Sequence, residues 1–432
     1  MIDNRMEDSG MKDNRIQDNR IQDNRMEDNG MKDNRMEDKE NYLSTLNERQ
    51  LDAVTTTEGY VRIIAGAGTG KTKALTHRYA YLVNELGIST SNILCVTFTN
   101  KAAREMSKRI RQMIGDSDTG YICTFHGFCV KLLREDIHAI NFPQNFVVMD
   151  DEDTEEILKT VYENAHIQSR TYTFDSARDH ITALKSQMLH IPYLAEIGNE
   201  KLLADYEKAE KVEDKVFLGY LYEQKKVYGL DYDDLITIAL YILQTDETKR
   251  IKWQERMMYV MVDEFQDVSN SQYALAEILS GYHRNLFIVG DPDQTIYTWR
   301  GAQIEYILEF DETHENTRTI FLDMNYRSTP EILAVSNSLI EKNKKRLPHR
   351  LEAYKEPGRR PIYIHSRTTG DEAQWMTSEI QRLVSEGASY NEMAVLYRSH
   401  FVSRNIEESF IKAKIPYTLY SGVEFYKRKE IK

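Results

Sequence analysis

Beyond residue 41, short apolar runs alternate with longer stretches whose apolar residues recur every three or four positions. Five of the runs are rich in the aliphatic and aromatic residues that favour strands. They cover residues 60–64, 93–99, 121–125, 258–262 and 286–289. Because strands that alternate with helices usually form a parallel sheet covered on both faces, this pattern predicts an α/β fold.

Two later regions change the pattern. Residues from about 150 to 230 are charged, rich in tyrosine and mostly helical in periodicity, which predicts a helical insertion. A second alternating series then begins near residue 319. Its expected elements are strands at 319–323, 361–365 and 393–397 and a helix at 371–386. We therefore expect a first domain over residues 42–320 and a partial second domain over residues 321–432.

The first 40 residues are eight copies of a five-residue unit in which Met or Ile comes first and Asp comes third. A period of five matches neither a helix nor a strand, so the apolar residue falls on no constant face. The segment holds 12 acidic and 8 basic residues. We predict a disordered tail over residues 1–41. A repeat solenoid is the alternative, although the units lack the apolar residues that stacking requires.

The composition of the sequence argues against several classes of protein. The 432 residues carry a net charge of −13, which argues against a protein that coats nucleic acid but not against binding in a local basic groove. No apolar stretch approaches the ~20 residues of a membrane-spanning helix. The acidic, polar N-terminus is unlike a secretory signal. Three cysteines without metal or disulfide spacing favour a cytoplasmic protein.

A glycine-rich loop follows the first predicted strand and precedes a predicted helix. Glycines let the backbone approach phosphate oxygens, and the start of the helix offers unpaired N–H groups. The run is Ala65, Gly66, Ala67, Gly68, Thr69, Gly70, Lys71 and Thr72. Lys71 is expected to neutralise the β- and γ-phosphates of ATP, and the Thr72 hydroxyl to ligate Mg²⁺. The usual motif has Gly where Ala65 stands. An ordinary glycine-rich turn is the alternative.

Two carboxylates follow a later buried strand, where α/β sheets build their sites. Asp263 is expected to hold Mg²⁺, and Glu264 to orient or deprotonate the attacking water. An acidic pair that merely begins a solvated helix is the alternative.

The glycine-rich loop and the acidic pair resemble motifs of a known family, the UvrD/PcrA/Rep branch of superfamily 1 helicases. The resemblance covers residues 42–432 and includes the Ala65 variant of the phosphate loop. It implies RecA-like P-loop NTPase folds, ATP and Mg²⁺ as cofactors, and movement on single-stranded DNA and at junctions of single and double strands. It further implies 3′ to 5′ polarity and a role in DNA repair or replication.

The resemblance also assigns individual residues. It implies that Gln50 binds the adenine edge, and that Tyr326 stacks on adenine while Arg327 reaches the γ-phosphate. Gln294, in the run 290–302, would sense the γ-phosphate. DNA contacts are expected at Phe98, Asn100, His126, Tyr297, Trp299 and Arg300. The alternatives are that Tyr297 and Trp299 are core aromatics and that Arg327 is an exposed, salt-bridged arginine.

The final residues, 422–432, resemble the family segment before its second large insertion, so the family's later motifs are absent from this sequence. We expect nucleotide binding to survive this absence and unwinding to be weak unless a protein partner supplies those motifs. Two alternatives to a working helicase remain open. One is a truncated ATP- and DNA-binding module, and the other is a subunit of a larger DNA-processing or defence complex.

Overall fold

A computed structural model describes residues 42–115 and 118–420, with only the backbone at Arg300. The predictions for the repeat tail and for residues 422–432 lie outside this part of the chain. The strands are β1 (Tyr60–Ala65), β2 (Ile93–Val96), β3 (Tyr121–Cys123), β4 (Val147–Val148), β5 (Gly229–Leu230), β6 (Tyr259–Val262), β7 (Leu286–Gly290), β8 (Arg318–Leu322), β9 (Met324–Asn325) and β10 (Glu352–Ala353).

The helices alternate with these strands, and short 3₁₀ turns join several of them. The helices are α1 (Glu48–Thr55), α2 (Lys71–Asn84), α3 (Asn100–Ile114), α4 (Phe125–Asp136), α5 (Asp151–Asn164), α6 (Phe174–Ser186), α7 (Ile191–Ala195), α8 (Asn199–Lys208), α9 (Val212–Lys226), α10 (Tyr232–Thr245), α11 (Glu247–Arg256), α12 (Asn270–Ser280), α13 (Glu305–Leu308), α14 (Phe310–Thr313), α15 (Pro330–Ile340), α16 (Thr369–Ser385) and α17 (Ser403–Lys412). Among these described helices, none has both the length and the apolar character needed to cross a bilayer.

One six-stranded parallel sheet, in the order β3-β2-β6-β7-β1-β8, organises the first part of the chain. Its four central strands, β1, β2, β6 and β7, are almost wholly buried, as expected for a parallel sheet covered by helices on both faces. Along β1, Ile63 packs into one hydrophobic cluster and Ile64 into another. The predicted α/β fold class with a parallel P-loop sheet is confirmed.

The helical insertion occupies α5 to α9 and has a hydrophobic core of its own, which includes Leu158, Leu202 and Tyr220. A buried charge network joins it to the start of α10. Lys185 of α6 is fully buried, and its Nζ lies 2.6 Å from Asp231 Oδ2 and 2.8 Å from Asp234 Oδ1. A buried lysine is tolerated because both carboxylates compensate for its lost hydration.

One expectation about the second alternating series is wrong. The strand expected at 319–323 does not begin a second sheet. It forms β8, which pairs with β1 at the edge of the first sheet, for example Ile63 with Ile320. The apolar pattern predicted the strand correctly, but it carries no information about which neighbouring strand pairs with it.

The chain divides into two compact units, one up to Gly358 and one from Arg359. The domain boundary expected at residue 320 stays a prediction. In the second unit, α16 forms at the expected place and packs with α17 around Ala373, Ile406 and Phe410. Residues 361–365 and 393–397 form no strand within the described residues, contrary to expectation. An extended segment becomes a strand only when a neighbour pairs with it.

Candidate functional site

The phosphate-binding loop has the expected strand-loop-helix form. β1 ends at Ala65, and α2 begins at Lys71 after a five-residue loop. Gly68 and Gly70 adopt φ angles of +78° and +92°, which residues with a Cβ rarely adopt. No side chain caps α2, so the N–H groups of its first turn point toward the loop. The start of α2 therefore offers uncapped backbone donors next to Lys71, an arrangement that suits a phosphate group.

Two distant segments pack on this loop. The Gln50 side chain is buried, and its Nε2 donates a hydrogen bond of 2.9 Å to the Thr69 carbonyl. The Tyr326 backbone N–H donates to the Gly68 carbonyl over 2.9 Å. A Cβ placed on Gly68 would lie 2.7 Å from Arg327 Cβ. The structure thus brings the residues expected at the adenine and the γ-phosphate to the same loop.

An aromatic surface lies beside Gln50. Asn47 accepts a hydrogen bond from the Gln50 backbone N–H, and its Nδ2 donates to the Tyr326 hydroxyl over 2.7 Å. The Tyr326 ring remains exposed and lies 4.9 Å from the ring of Tyr354. A flat ring next to a positioned amide can hold a purine by stacking and by hydrogen bonding.

Glu264 connects the carboxyl end of β6 to the loop. Its Oε2 lies 3.0 Å from Lys71 Nζ. Glu264 has a φ of +51°, in the left-handed region that a residue with a Cβ occupies at a cost of about 1–3 kcal/mol. Backbone strain of this kind occurs where the surrounding structure holds a side chain in a required direction, and here it directs the carboxylate to Lys71.

Asp263 is buried beside Glu264. The Thr97 hydroxyl donates a 3.2 Å hydrogen bond to Asp263 Oδ2, whereas Oδ1 is buried with no hydrogen-bond partner among the described residues. Burial, with a further contribution from the negative charge of Glu264, raises the pKa of Asp263 to about 6. A buried carboxylate oxygen without a donor suits a hard cation. Asp263 and Thr72 line the same cavity, so these residues fit Mg²⁺.

Gln266 links the carboxylates to the turn after β7. Its Nε2 donates to Glu264 Oε2 over 3.0 Å, and its Oε1 accepts from the Asp291 backbone N–H over 2.9 Å. The Gln294 side chain in turn donates to Asp291 Oδ2. Burial raises the pKa of Asp291. Gln294 is therefore connected to the Lys71–Glu264 pair through Asp291 and Gln266, a link the sequence motif did not reveal.

Aromatic residues expected to contact DNA meet next to this site. The rings of Phe98 and Tyr297 stack with their centroids 5.1 Å apart, and Trp299 lies 6.4 Å from Tyr297 and is highly exposed. Phe98 and Tyr297 line a cavity of about 350 Å³ whose other walls include Asp263 and Gln294. One cavity therefore joins the aromatic residues expected to contact DNA to the two carboxylates.

A second cavity of about 540 Å³ continues from Phe98 and Tyr297 toward the insertion. His126 lies on its wall, and burial lowers the pKa of His126, which favours the neutral imidazole. The His126 ring is 5.4 Å from the exposed ring of Tyr232, and Thr182 of α6 completes the wall. Sequence reasoning missed Tyr232, although an exposed aromatic directly after a helix-capping Asp could have suggested it.

Two further residues expected to contact DNA, Asn100 and Arg300, line neither of these two cavities among the described residues. Asn100 is the first residue of α3, and Thr99 caps that helix by accepting a hydrogen bond from the Ala102 backbone N–H. The side chain of Arg300 lies outside the described part of the structure. The roles assigned to the individual site residues stay predictions, while their positions around one connected site are a property of the fold.

Comparison with known proteins agrees with this geometry. The UvrD/REP helicase N-terminal domain matches residues 46–315, and the UvrD-like helicase C-terminal domain matches residues 320–432. A protein of Staphylococcus aureus strain Mu50 named ATP-dependent DNA helicase PcrA is 39% identical over 391 residues, which are 90% of this chain and 53% of that protein. The protein of the same name from Staphylococcus epidermidis strain RP62A matches at the same identity and coverage. The chain thus spans about half the length of these relatives.

Proposed function

The chain belongs to the UvrD/REP helicase family, and we propose that it binds ATP with magnesium, hydrolyses it and moves on single-stranded DNA. The observation that carries this proposal is the Lys71–Glu264 pair, 3.0 Å apart, beside the buried Asp263. A phosphate-binding lysine, a candidate base and a metal-binding carboxylate lie within one site. Their arrangement meets the requirements for phosphoryl transfer from ATP to water.

The proposed mechanism starts from the Lys71–Glu264 pair. The β- and γ-phosphates of ATP attract Lys71, so that Glu264 becomes free to orient and deprotonate the attacking water. Thr72 and Asp263 would hold Mg²⁺, which supplies charge neutralisation at the phosphates when bound. Gln294 and Arg327 sense and neutralise the γ-phosphate, while Gln50 and Tyr326 hold the adenine.

We further propose 3′ to 5′ movement in DNA repair or replication, on the basis of the family resemblance. The groove that includes Phe98, His126, Tyr297 and Trp299 would bind the strand. Base stacking on such rings is worth about 1–3 kcal/mol per base and does not depend on sequence, as a moving motor requires. The cytoplasmic location expected from the free cysteines and the presence of a completing protein partner remain predictions.

The decisive experiment measures ATP-dependent thermal stabilisation and ATP hydrolysis with Mg²⁺, with and without single-stranded DNA. Lys71→Ala should abolish both the stabilisation and the hydrolysis. Lys73→Ala, two residues along the same helix, removes an equal charge from a lysine that donates to the Thr45 carbonyl and should retain both. Absence of stabilisation in the unchanged protein would refute the proposal. Stabilisation without any hydrolysis would favour the alternative of a nucleotide-dependent DNA-binding module.

The proposed 3′ to 5′ direction of movement is tested separately, with substrates designed for that purpose. On duplexes that carry a single-stranded tail at either the 3′ or the 5′ end, any unwinding, including the weak unwinding expected without a partner, should start only from the 3′ tail. Preference for the 5′ tail would contradict the proposed direction while leaving the nucleotide site unaffected.

A further inference from the structure

Helix α3 carries an unusual concentration of positive charge for so acidic a protein. The helix contains five basic residues and one acidic residue, whereas the whole chain has a net charge of −13. Its buried face, formed by Ala103, Met106 and Ile110, packs on the sheet. Residues 104, 108 and 111 recur at helical spacing on the other side, so that three cations share an exposed face.

These cations line a groove rather than a flat surface. Arg104, Lys108 and Arg111 border a depression of about 840 Å³ whose opposite wall is Ile122 and Cys123 of β3. β3 is an edge strand of the sheet, and its residues are partly exposed. Within residues 42–115 and 118–420, none of the three cations forms an ion pair, in contrast to Arg109, which pairs with Glu105 on the same helix. The groove therefore offers unneutralised positive charge.

The groove begins where the strand-contacting aromatics end. Asn100 lines it and is the first residue of α3, two positions after Phe98, whose ring stacks on Tyr297. A chain that passes over Phe98 can reach Asn100 and continue along a groove whose described lining residues include no carboxylate, because Glu105, the one acidic residue of α3, lines the Phe98 cavity and pairs with Arg109. This continuity favours the phosphodiester backbone of a nucleic acid as the occupant over an acidic peptide segment.

We propose that the face of α3 formed by Arg104, Lys108 and Arg111 is a second binding segment for single-stranded DNA. It would hold the backbone of the strand beyond the bases that stack on Phe98 and Tyr297. The inference rests on the proposed function, since it extends the same DNA track. Phosphate contacts of this kind supply affinity that is independent of sequence and position the strand for the aromatic residues.

The test compares the unchanged protein with the full-length triple variant Arg104→Gln, Lys108→Gln, Arg111→Gln. Affinity is measured for strands of about 6 and about 20 nucleotides, of which only the longer exceeds the site sizes of about 4–16 nucleotides that single-strand grooves cover. Each measurement is repeated over a range of salt concentrations. Because each phosphate contact on a single strand contributes about 0.7 to the slope of log K against log salt, the variant's slope for the long strand should fall by about 2.

A matched control removes the same charge elsewhere. Lys201, Lys208 and Lys211 lie on the insertion, are exposed and, within the described residues, form no ion pair, so their triple change to Gln should leave the slope unchanged. Because the three α3 side chains are exposed, circular dichroism and melting temperature should be those of the parent. If the triple variant nevertheless unfolds, the single change Lys108→Gln should lower the slope by about 0.7.

The outcomes separate this inference from the proposed function. If the unchanged protein binds the long strand and the α3 variant shows the same slope, the inference is overturned while the proposed function stands. That result is also expected if an acidic peptide segment, such as residues 1–40 with 12 acidic residues, is the true occupant. If the unchanged protein binds neither strand, the proposed DNA track itself is refuted.

Discussion

Asp263 shows how a side chain proposed to hold Mg²⁺ can oppose the stability of its own fold. Its carboxylate is buried, one of its oxygens has no hydrogen-bond partner among the described residues, and Glu264 adds a second negative charge. Burial and that charge raise its pKa to about 6 from an unfolded value of 3.8. The protonated form therefore stabilises the fold, and this contribution is lost as pH rises through about 6. At pH 8 the ionised side chain destabilises the nucleotide-free protein.

We therefore predict that Asp263→Asn raises the melting temperature of the nucleotide-free protein at pH 8 and abolishes its stabilisation by ATP with Mg²⁺. The shifted pKa corresponds to a gain of about 1–3 kcal/mol, which should shrink as the pH is lowered toward 5. The amide oxygen can still accept the Thr97 hydrogen bond. Differential scanning calorimetry across this pH range measures the gain.

Asp267→Asn is the matched control for this prediction. Burial and the charge of Glu264 also raise the pKa of Asp267 to about 6, but the nucleotide roles proposed above do not include it. This variant should gain stability at pH 8 and keep the ATP-dependent shift. A lower melting temperature for Asp263→Asn at pH 8 would show that its carboxylate is satisfied by a contact other than a bound cation.

The sequence singled out most residues of the proposed nucleotide site but not their connections. Lys71 and Glu264 were each assigned a role from a local motif. Their 3.0 Å contact joins residues 193 positions apart and depends on how β1 and β6 are arranged in the sheet. Gln266 was passed over because its bridging role appears only when Asp291 is brought next to it. Sequence motifs show which side chains are present, whereas tertiary packing determines which of them come into contact.

At the scale of the elements, the phosphate loop depends on close backbone approach as well as on left-handed φ angles. A Cβ on Gly68 would lie 2.7 Å from Arg327 Cβ and 2.9 Å from Asn325 Nδ2. The first of these atoms lies next to the backbone and cannot swing away. Gly59 has a similar φ of +83°, but a Cβ there would meet nothing within 4 Å. Substitutions at the two glycines can therefore distinguish the cost of backbone strain from the cost of close packing.

We predict that Gly59→Ala lowers the free energy of unfolding by about 1–2 kcal/mol, the cost of a left-handed residue with a Cβ. Gly68→Ala should cost more and should also reduce ATP-dependent thermal stabilisation, because segment 325–327 must move off the loop. Chemical denaturation with and without ATP and Mg²⁺ measures both effects. Equal losses in the two variants, with ATP binding intact, would mean that the contact with Arg327 is not required.

The sequence predicted a strand correctly where almost every residue of that strand is buried, because burial restricts the strand to apolar residues. β1, β6 and β7 are almost wholly buried, so their aliphatic runs were unambiguous in the sequence. β8 was recognised as a strand but assigned to the wrong sheet, because a periodic pattern does not specify a pairing partner. Residues 361–365 and 393–397 have strand-like composition but no paired neighbour within the described residues. Composition therefore predicts the capacity to form a strand, and topology decides whether one forms.

At the scale of the whole molecule, one cavity joins the residues proposed to bind the nucleotide to those proposed to bind the DNA strand. The cavity of about 350 Å³ that contains Thr72 and Asp263 also contains Phe98 and Tyr297. Gln294 and Tyr297 lie only three residues apart, and Gln294 is linked to Glu264 through Asp291 and Gln266. A DNA strand bound at Tyr297 would therefore lie three residues along the chain from the hydrogen-bonded path that leads from Gln294 to Glu264. This short path leads us to expect that DNA alters the rate of ATP hydrolysis.

We predict that Tyr297→Ala weakens binding of single-stranded DNA by roughly tenfold to a hundredfold, the loss of one stacking surface of about 1–3 kcal/mol. Stimulation of ATP hydrolysis by DNA should fall with it, whereas thermal stabilisation by ATP should remain. Tyr282→Ala is the control, because Tyr282 is an exposed tyrosine outside both cavities. Fluorescence anisotropy and a phosphate-release assay give the two readouts. If Tyr297→Ala binds DNA normally but loses its stimulation, the ring transmits the signal of the bound strand without holding the base.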